Sequence, residues 1–300
     1  MLKHLSLPPV KPKHVAVLGA GGFIGSALCR RLAVDAVSFT PIGRRDIDLL
    51  LPEAVDRLAA EILRADALVV ISAEAPCKTS EMLTHNILMM QHVCAAIEIQ
   101  QPAHLVYVSS DAVYADSDQP LSEKSCAQPS SLHGVMHLAR EIMIRQSFAG
   151  PLAILRPTLV YGEDDPHDGY GPNRFRRLAE KGEDIVLFGE GEERRDHVLV
   201  DDVATLLHLI LTHRSDGVLN ATTGEVTSFL DVARMVTSHF DAPVMIKGSP
   251  RVGPMPHNGY RAFDISAIHA AFPGFSPVPI AAGLRLTHLK SQRAPAKHER

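Results

Sequence analysis

The chain has 300 residues, of which 46% are hydrophobic and 21% charged, and its formal net charge is −4. That is enough chain for one large α/β domain with a smaller lobe, in the proportions of an ordinary globular protein. The slight acidity gives no footing for a general nucleic-acid binder, and no apolar run approaches the roughly 20 residues that a bilayer span requires.

In chain order, MLKHLSLPPVKPK (1–13) lacks the apolar core of a signal peptide and is broken by Pro8, Pro9 and Pro12, so it reads as a loose leader. His14 to Leu18 is a buried strand that runs into glycines, and Ile24 to Leu32 a helix. Ala36 to Ile42 is a second strand whose end is weakened by Pro41. Glu53 to Arg64 is an amphipathic helix, Ala67 to Ser72 a strand and Met82 to Ile97 a long helix. Leu105 to Ser109 is a strand, Val135 to Gln146 a helix and Leu152 to Arg156 a strand. Beyond Pro157 the pattern changes: Tyr161 to Asn173 reads as loop, and the remainder mixes short strands and helices. The polar end KSQRAPAKHER is expected to fray.

Strands apolar on both faces, alternating with helices, predict a Rossmann-type α/β fold: a doubly wound parallel sheet with a smaller C-terminal substrate lobe. The expected division is a NAD(P)-binding domain over 1–160 with about 197–220, and a substrate lobe over about 161–196 and 221–290. Cys29, Cys77, Cys94 and Cys126 show no C-x-x-C spacing and read as reduced thiols of a cytoplasmic protein.

GAGGFIG places Gly19, Gly22 and Gly25 at G-x-x-G-x-x-G spacing between a strand and a helix start. Glycines let the backbone approach a pyrophosphate, and the helix N-terminus, here Phe23 and Ile24, supplies free N–H groups. The second strand ends in GRRDIDL. Where an acid would favour NAD(H), Arg44 and Arg45 offer guanidinium to a 2′-phosphate and favour NADP(H); Asp48 is placed near the adenine.

With these elements in order, the chain resembles the extended short-chain dehydrogenase/reductases of the sugar-nucleotide epimerase/dehydratase group. DALVVISA is similar to the family's strand whose end, at Ser72 and Ala73, touches the cofactor, and Asn86 stands where the central helix often has Asn. VSSDAVYAD resembles the turn carrying the catalytic Ser or Thr, which aligns with Ser110. LRPTLVYG (155–162) and GEGEERRDHVLVDDVA (189–204) resemble two further family elements, and RAFDISAIHAAFPGFSP (261–277), with His269, a C-terminal one of architectural role.

The family's catalytic element is Y-x-x-x-K, and SSLHGVMHLAREIM puts His133 in the Tyr slot and His137 in the Lys slot. The resemblance implies that Ser110 orients the substrate oxygen, His133 exchanges the proton and His137 faces the nicotinamide ribose. Asp111 follows Ser110, but Ala112 replaces the Glu of the dehydratase Thr-Asp-Glu and speaks against ordinary 4,6-dehydration. Arg195 matches a position that pairs with the substrate diphosphate, with Asn173 and Arg251 as further candidates for that pocket.

Imidazole titrates near 6.5 against about 10 for phenol, so His133 can accept a proton near neutrality unaided, with an activity pKa expected near 6–7. His137 cannot supply the permanent charge of Lys. Three readings therefore stand open: an NADP(H)-dependent oxidoreductase or epimerase, a non-catalytic cofactor- or sugar-nucleotide-binding protein, and a metal-assisted enzyme using the i, i+4 His pair with Asp111. The partners expected are a nucleotide-sugar substrate and a second copy in a homodimer, with neither nucleic acid nor membrane.

Overall fold

The computed structural model describes residues 2–166 and 168–293. Seven strands form one sheet. In chain order they are β1 (Lys3–His4), β2 (His14–Leu18), β3 (Ser38–Ile42), β4 (Ala67–Val70), β5 (His104–Val108), β6 (Leu152–Pro157) and, after four strands that lie outside this sheet, β11 (Ser215–Ala221). Across the sheet the order is β1-β11-β6-β5-β4-β2-β3. All neighbouring pairs are parallel except β1 with β11. β3 is the edge strand, where Pro41 removes no ladder bond that an inner strand would need.

The other edge corrects the expectation of a loose leader. Lys3 and His4 pair with Asp216 and Ser215, and the His4 ring bonds Ser215 Oγ at 2.9 Å and the Ala271 carbonyl at 2.8 Å. Two polar anchors and a ladder hold this segment down despite its prolines.

Helices cover both faces. On one, α1 (Phe23–Val34) and α6 (Val200–Thr212) pack Leu28, Leu32, Val203 and Leu207 against Val15, Val17 and Val106. On the other, α2 (Ala54–Leu63), α3 (Ser80–Ile99) and α4 (Leu132–Ser147) pack Leu58, Met90, Val93 and Ile144 against Leu18, Leu68 and Tyr107. Alternate residues of each strand feed opposite cores, so the strands read as unbroken apolar runs.

The remaining elements are β7 (Leu159–Tyr161), α5 (Pro172–Glu180), β8 (Ile185–Phe188), β9 (Arg194–Arg195), β10 (His197–Leu199), β12 (Thr227–Ser228), α7 (Phe229–Thr237), β13 (Ile246–Ser249), β14 (Tyr260–Arg261), α8 (Ser266–Ala271) and α9 (Ile280–Arg293). Phe175, Ile185, Leu187, Phe229, Val232 and Leu284 form a separate core among them. α8 turns back to the sheet, where Ala267 and Ile268 join the α1–α6 side. The polar stretch expected to fray begins inside α9; its residues 294–300 lie outside the described residues. Among the described residues no helix is long and apolar enough to cross a membrane, and the four cysteines are free thiols.

One buried ion pair ties α4 to the sheet. Glu141 accepts from Arg156 Nε at 2.9 Å and from Arg156 Nη2 at 2.6 Å, with both side chains buried. Removing one partner of such a pair strands the other charge and costs about 3–5 kcal/mol. Glu141→Leu is therefore expected to lose that much stability in urea denaturation, whereas Arg64→Ala, which breaks an exposed pair with Glu61, should stay within about 0.5 kcal/mol. Equal losses for the two variants would deny the pair this role.

Candidate active site

The strand order reverses between β2 and β4, and loops after their carboxyl ends meet there. The contact is tight: Gly19 has φ +94°, and a Cβ on it would lie 2.6 Å from Ser72 N. Gly25 acts by packing rather than by facing a ligand, since its Cβ would lie 2.1 Å from Gly19 O. It does not line the cavity, which corrects its expected placement in contact with a cofactor.

A cavity of about 690 Å³ opens at this crevice. Gly19, Gly22, Phe23, Ile24, Ser72 and Ala73 line it, together with Gly21. No side chain caps α1 at Gly22, and a Cβ on Gly21 would meet nothing within 4 Å. The first N–H groups of α1 are thus left for an anion, with open space before them. Arg44 and Asp48 also line the cavity and face each other, with Arg44 Nε 3.4 Å from Asp48 Oδ2. The Leu50 N–H bonded to Asp48 holds its carboxyl below the usual range, with Arg44 adding to this. Arg45, in the turn that follows β3, is exposed and does not line the cavity.

The catalytic candidates come from β5 and α4. α4 starts three residues earlier than periodicity suggested: Ser131 caps it by accepting from Gly134 N–H at 3.2 Å, which brings His133 into its first turn. Gly134 lets this turn press on the one that follows β5, for a Cβ there would lie 2.0 Å from the Ala112 carbonyl oxygen. Ser110, His133 and His137 consequently line the same cavity. Ser110 Oγ accepts from Ala112 N–H at 3.2 Å. The two imidazoles meet edge to face with ring centroids 4.7 Å apart. His133 Nδ1 accepts a long bond, 3.4 Å, from Cys77 N–H, and His137 Nδ1 lies 2.8 Å from the Tyr107 hydroxyl. Burial lowers the pKa of both rings; Asp111 partly offsets this at His133, while His133 and Arg140 reinforce it at His137.

Three predicted residues are engaged elsewhere. Asp111 is buried and clamped by Arg261, whose Nε donates to its Oδ2 at 2.7 Å and whose Nη2 donates to its carbonyl at 2.5 Å. Arg195 pairs with Glu193 at 3.2 Å and comes within 3.9 Å of Asp111. Arg251 pairs with Glu192 at 3.2 Å. None of the three lines the cavity, and each is paired with an opposite charge. Asn173 does line it, its Oδ1 accepting from Gly162 N–H at 3.0 Å. No group of three or more His, Cys, Asp or Glu side chains among the described residues is placed to hold a metal. Asp111 is thus not a third ligand to the His pair.

Sequence reasoning passed over Tyr107, Arg140 and His197. Tyr107 was hidden in an apolar strand, whereas His197 stood in the quoted RRDHVLV element as a polar residue in a buried run. His197 lines the cavity and is 2% exposed. Burial, with the Arg195 charge, takes its pKa down to about 3, and burial takes that of His104 down to about 4. Above pH 6.5 such groups are neutral whether the chain is folded or not. As pH falls from 6.5 toward those values, the unfolded chain binds protons that the folded one refuses, so stability declines by about 1.4 kcal/mol per unit for each group. Between pH 7.5 and 5.0, His197→Phe should lose about 2 kcal/mol less than the wild type in urea denaturation. Identical losses would mean that the folded protein accommodates the His197 proton.

Comparison with known proteins agrees with this geometry. The profile of the NAD dependent epimerase/dehydratase family matches residues 15–222. The dTDP-L-rhamnose 4-epimerase of Burkholderia thailandensis is 26% identical, over 83% of this chain and 87% of that protein. The UDP-glucose 4-epimerase of Thermus thermophilus, solved with NAD, superposes with a TM-score of 0.83 at 23% identity, covering 94% of this chain and 100% of that one. RMD from Pseudomonas aeruginosa, solved with NADPH, gives 0.80 at 20% identity, covering 94% and 100%. The structural likenesses carry the fold, and the profile match extends from the first long strand of the sheet to its last: the chain belongs to the NAD dependent epimerase/dehydratase family.

Proposed function

We propose that this protein is a cytoplasmic NAD(P)-dependent oxidoreductase or epimerase acting on a nucleotide-linked sugar, with residues 161–196 and 221–290 serving the substrate. One observation carries the reading: the uncapped start of α1 and the Ser110–His133–His137 group open into one cavity. The residues fit a dinucleotide, with Gly21, Gly22, Phe23 and Ile24 at its pyrophosphate, Arg44 and Asp48 at its adenosine, and His137 at its nicotinamide ribose. A nicotinamide bound there supplies a hydride acceptor and donor.

The chain's own residues handle the oxygen and its proton. Ser110 Oγ hydrogen-bonds the reacting oxygen of the sugar. His133 Nε2 takes the hydroxyl proton on oxidation and returns it on reduction. His133 is suited to this because its one hydrogen bond to the described residues is long and its pKa is depressed, so the ring is neutral and, by giving up that bond, can carry its proton on Nδ1 and leave Nε2 free to accept. The sequence expectation of a pKa near 6–7 is revised accordingly: activity requires the neutral ring and is lost only as pH falls through a value below 6.5. The test is a screen of UDP- and dTDP-hexoses with both cofactors. Turnover should fall by about 10²–10⁴-fold in His133→Phe, with cofactor affinity kept. Cofactor binding without turnover of any such sugar would favour a binding protein instead, a reading supported by the clamping of Asp111.

The preferred cofactor is NADP(H), since Arg44 borders the cavity where a 2′-phosphate would lie. Arg44 is exposed and shared with Asp48, so its contribution is about 1 kcal/mol, or roughly fivefold in affinity. Calorimetry should find NADPH bound more tightly than NADH, and Arg44→Ala should shrink the ratio by about that factor. Tighter NADH binding by the wild type would reverse the assignment.

A further inference from the structure

Tyr107 points from β5 under α4 and is fully buried. Its hydroxyl lies 2.8 Å from His137 Nδ1 and has no other hydrogen-bond partner among the described residues. A buried phenol must give its proton to an acceptor or forfeit the energy of desolvating it. Nδ1 is the acceptor within reach, so the O–H donates and Nδ1 accepts. A neutral imidazole carries a single N–H, which must then be on Nε2. Both groups stay neutral in this arrangement: burial raises the Tyr107 pKa to about 12 and lowers that of His137 well below 6.5. Arg140, with its guanidinium 5.5 Å over the Tyr107 ring, further disfavours an imidazolium beside it. Among the described residues His137 Nε2 has no hydrogen-bond partner, it is not sealed off, and its ring lines the cavity.

We propose that Tyr107 is a positioning residue: by donating into Nδ1 it locks His137 as the Nε2–H tautomer and makes it a fixed, neutral hydrogen-bond donor to a ligand hydroxyl in the cavity. That this hydroxyl belongs to the cofactor ribose rests on the function proposed above; the tautomer does not. The two histidines then have distinct duties. His137, held at 2.8 Å, can only donate, while His133, held at 3.4 Å, can exchange its proton.

The test uses the full chain with ¹⁵N-labelled histidine, read by long-range ¹H–¹⁵N correlation at pH 7.5 without cofactor. His137 is assigned by the signals lost in His137→Gln. The wild type should show a hydrogen-bonded, pyridine-like Nδ1 and a pyrrole-like Nε2. Tyr107→Phe keeps the ring and its packing but removes the donor, so the two nitrogen shifts should move toward each other as the tautomers mix. Its NADPH dissociation constant should rise about two- to tenfold. A pyrrole-like Nδ1 in the wild type, or an unchanged His137 spectrum in Tyr107→Phe, overturns the proposal; equal NADPH affinity in the two proteins overturns the assignment of the ligand hydroxyl to the cofactor ribose. A wild type that binds no dinucleotide overturns the cofactor reading alone, and the spectra then decide the tautomer.

Discussion

Glu141 and Arg156 meet where several parts of the fold converge. Arg156 belongs to β6, in the interior of the sheet, and Glu141 to α4, which carries both histidines of the cavity. Ser109, at the end of β5, donates to Glu141 at 2.6 Å, and Arg156 Nη1 donates to the Tyr114 hydroxyl at 2.9 Å. Tyr114 in turn donates to Asn220 on β11 at 2.7 Å. A carboxylate and a guanidinium cannot be buried without such partners, so the helix, the strand ends and the turn are held in one register.

That register sets the geometry of the cavity. With α4 held against the sheet, its first turn presses on the turn after β5, and only a glycine at 134 allows the approach. His133 and Ser110 then face one space, and His137 comes to lie over Tyr107. Where β2 and β4 diverge, Gly19 plays the corresponding part by admitting the backbone of Ser72, whose carbonyl accepts from Arg140 Nη2 at 2.7 Å. Asn86 completes the support, its Oδ1 accepting from Glu74 N–H at 3.0 Å in the loop that borders the cavity.

The charges are divided in the same spirit. Asp111 and Arg261 satisfy each other away from the cavity, as do Arg195 with Glu193 and Arg251 with Glu192. The cavity is lined by the Ser110 hydroxyl and by three imidazoles, of His133, His137 and His197, that burial keeps neutral. Arg140, three positions after His137, adds its charge to the effect of burial in keeping that ring neutral.

The sequence by itself determined the doubly wound sheet and the glycine loop, because these depend on local periodicity and on spacing along one strand or helix, whereas the grouping of Ser110 with His133 and His137 was implied only by the family resemblance. It could not determine which charged residues would face the ligand. Asp111 and Arg261 are 150 positions apart, and their pairing withdraws an acid that the motif alone presents as available. The same holds for Tyr107, read from sequence as one more apolar position of a buried strand. Its hydroxyl acquires meaning only when α4 crosses β5 and sets His137 against it. The anchoring of the N-terminal segment was decided likewise, by Ser215 and Ala271, 211 and 267 positions from His4. Local pattern fixes which surface of an element is apolar; only the meeting of distant elements decides which polar groups satisfy one another and which are left for a ligand.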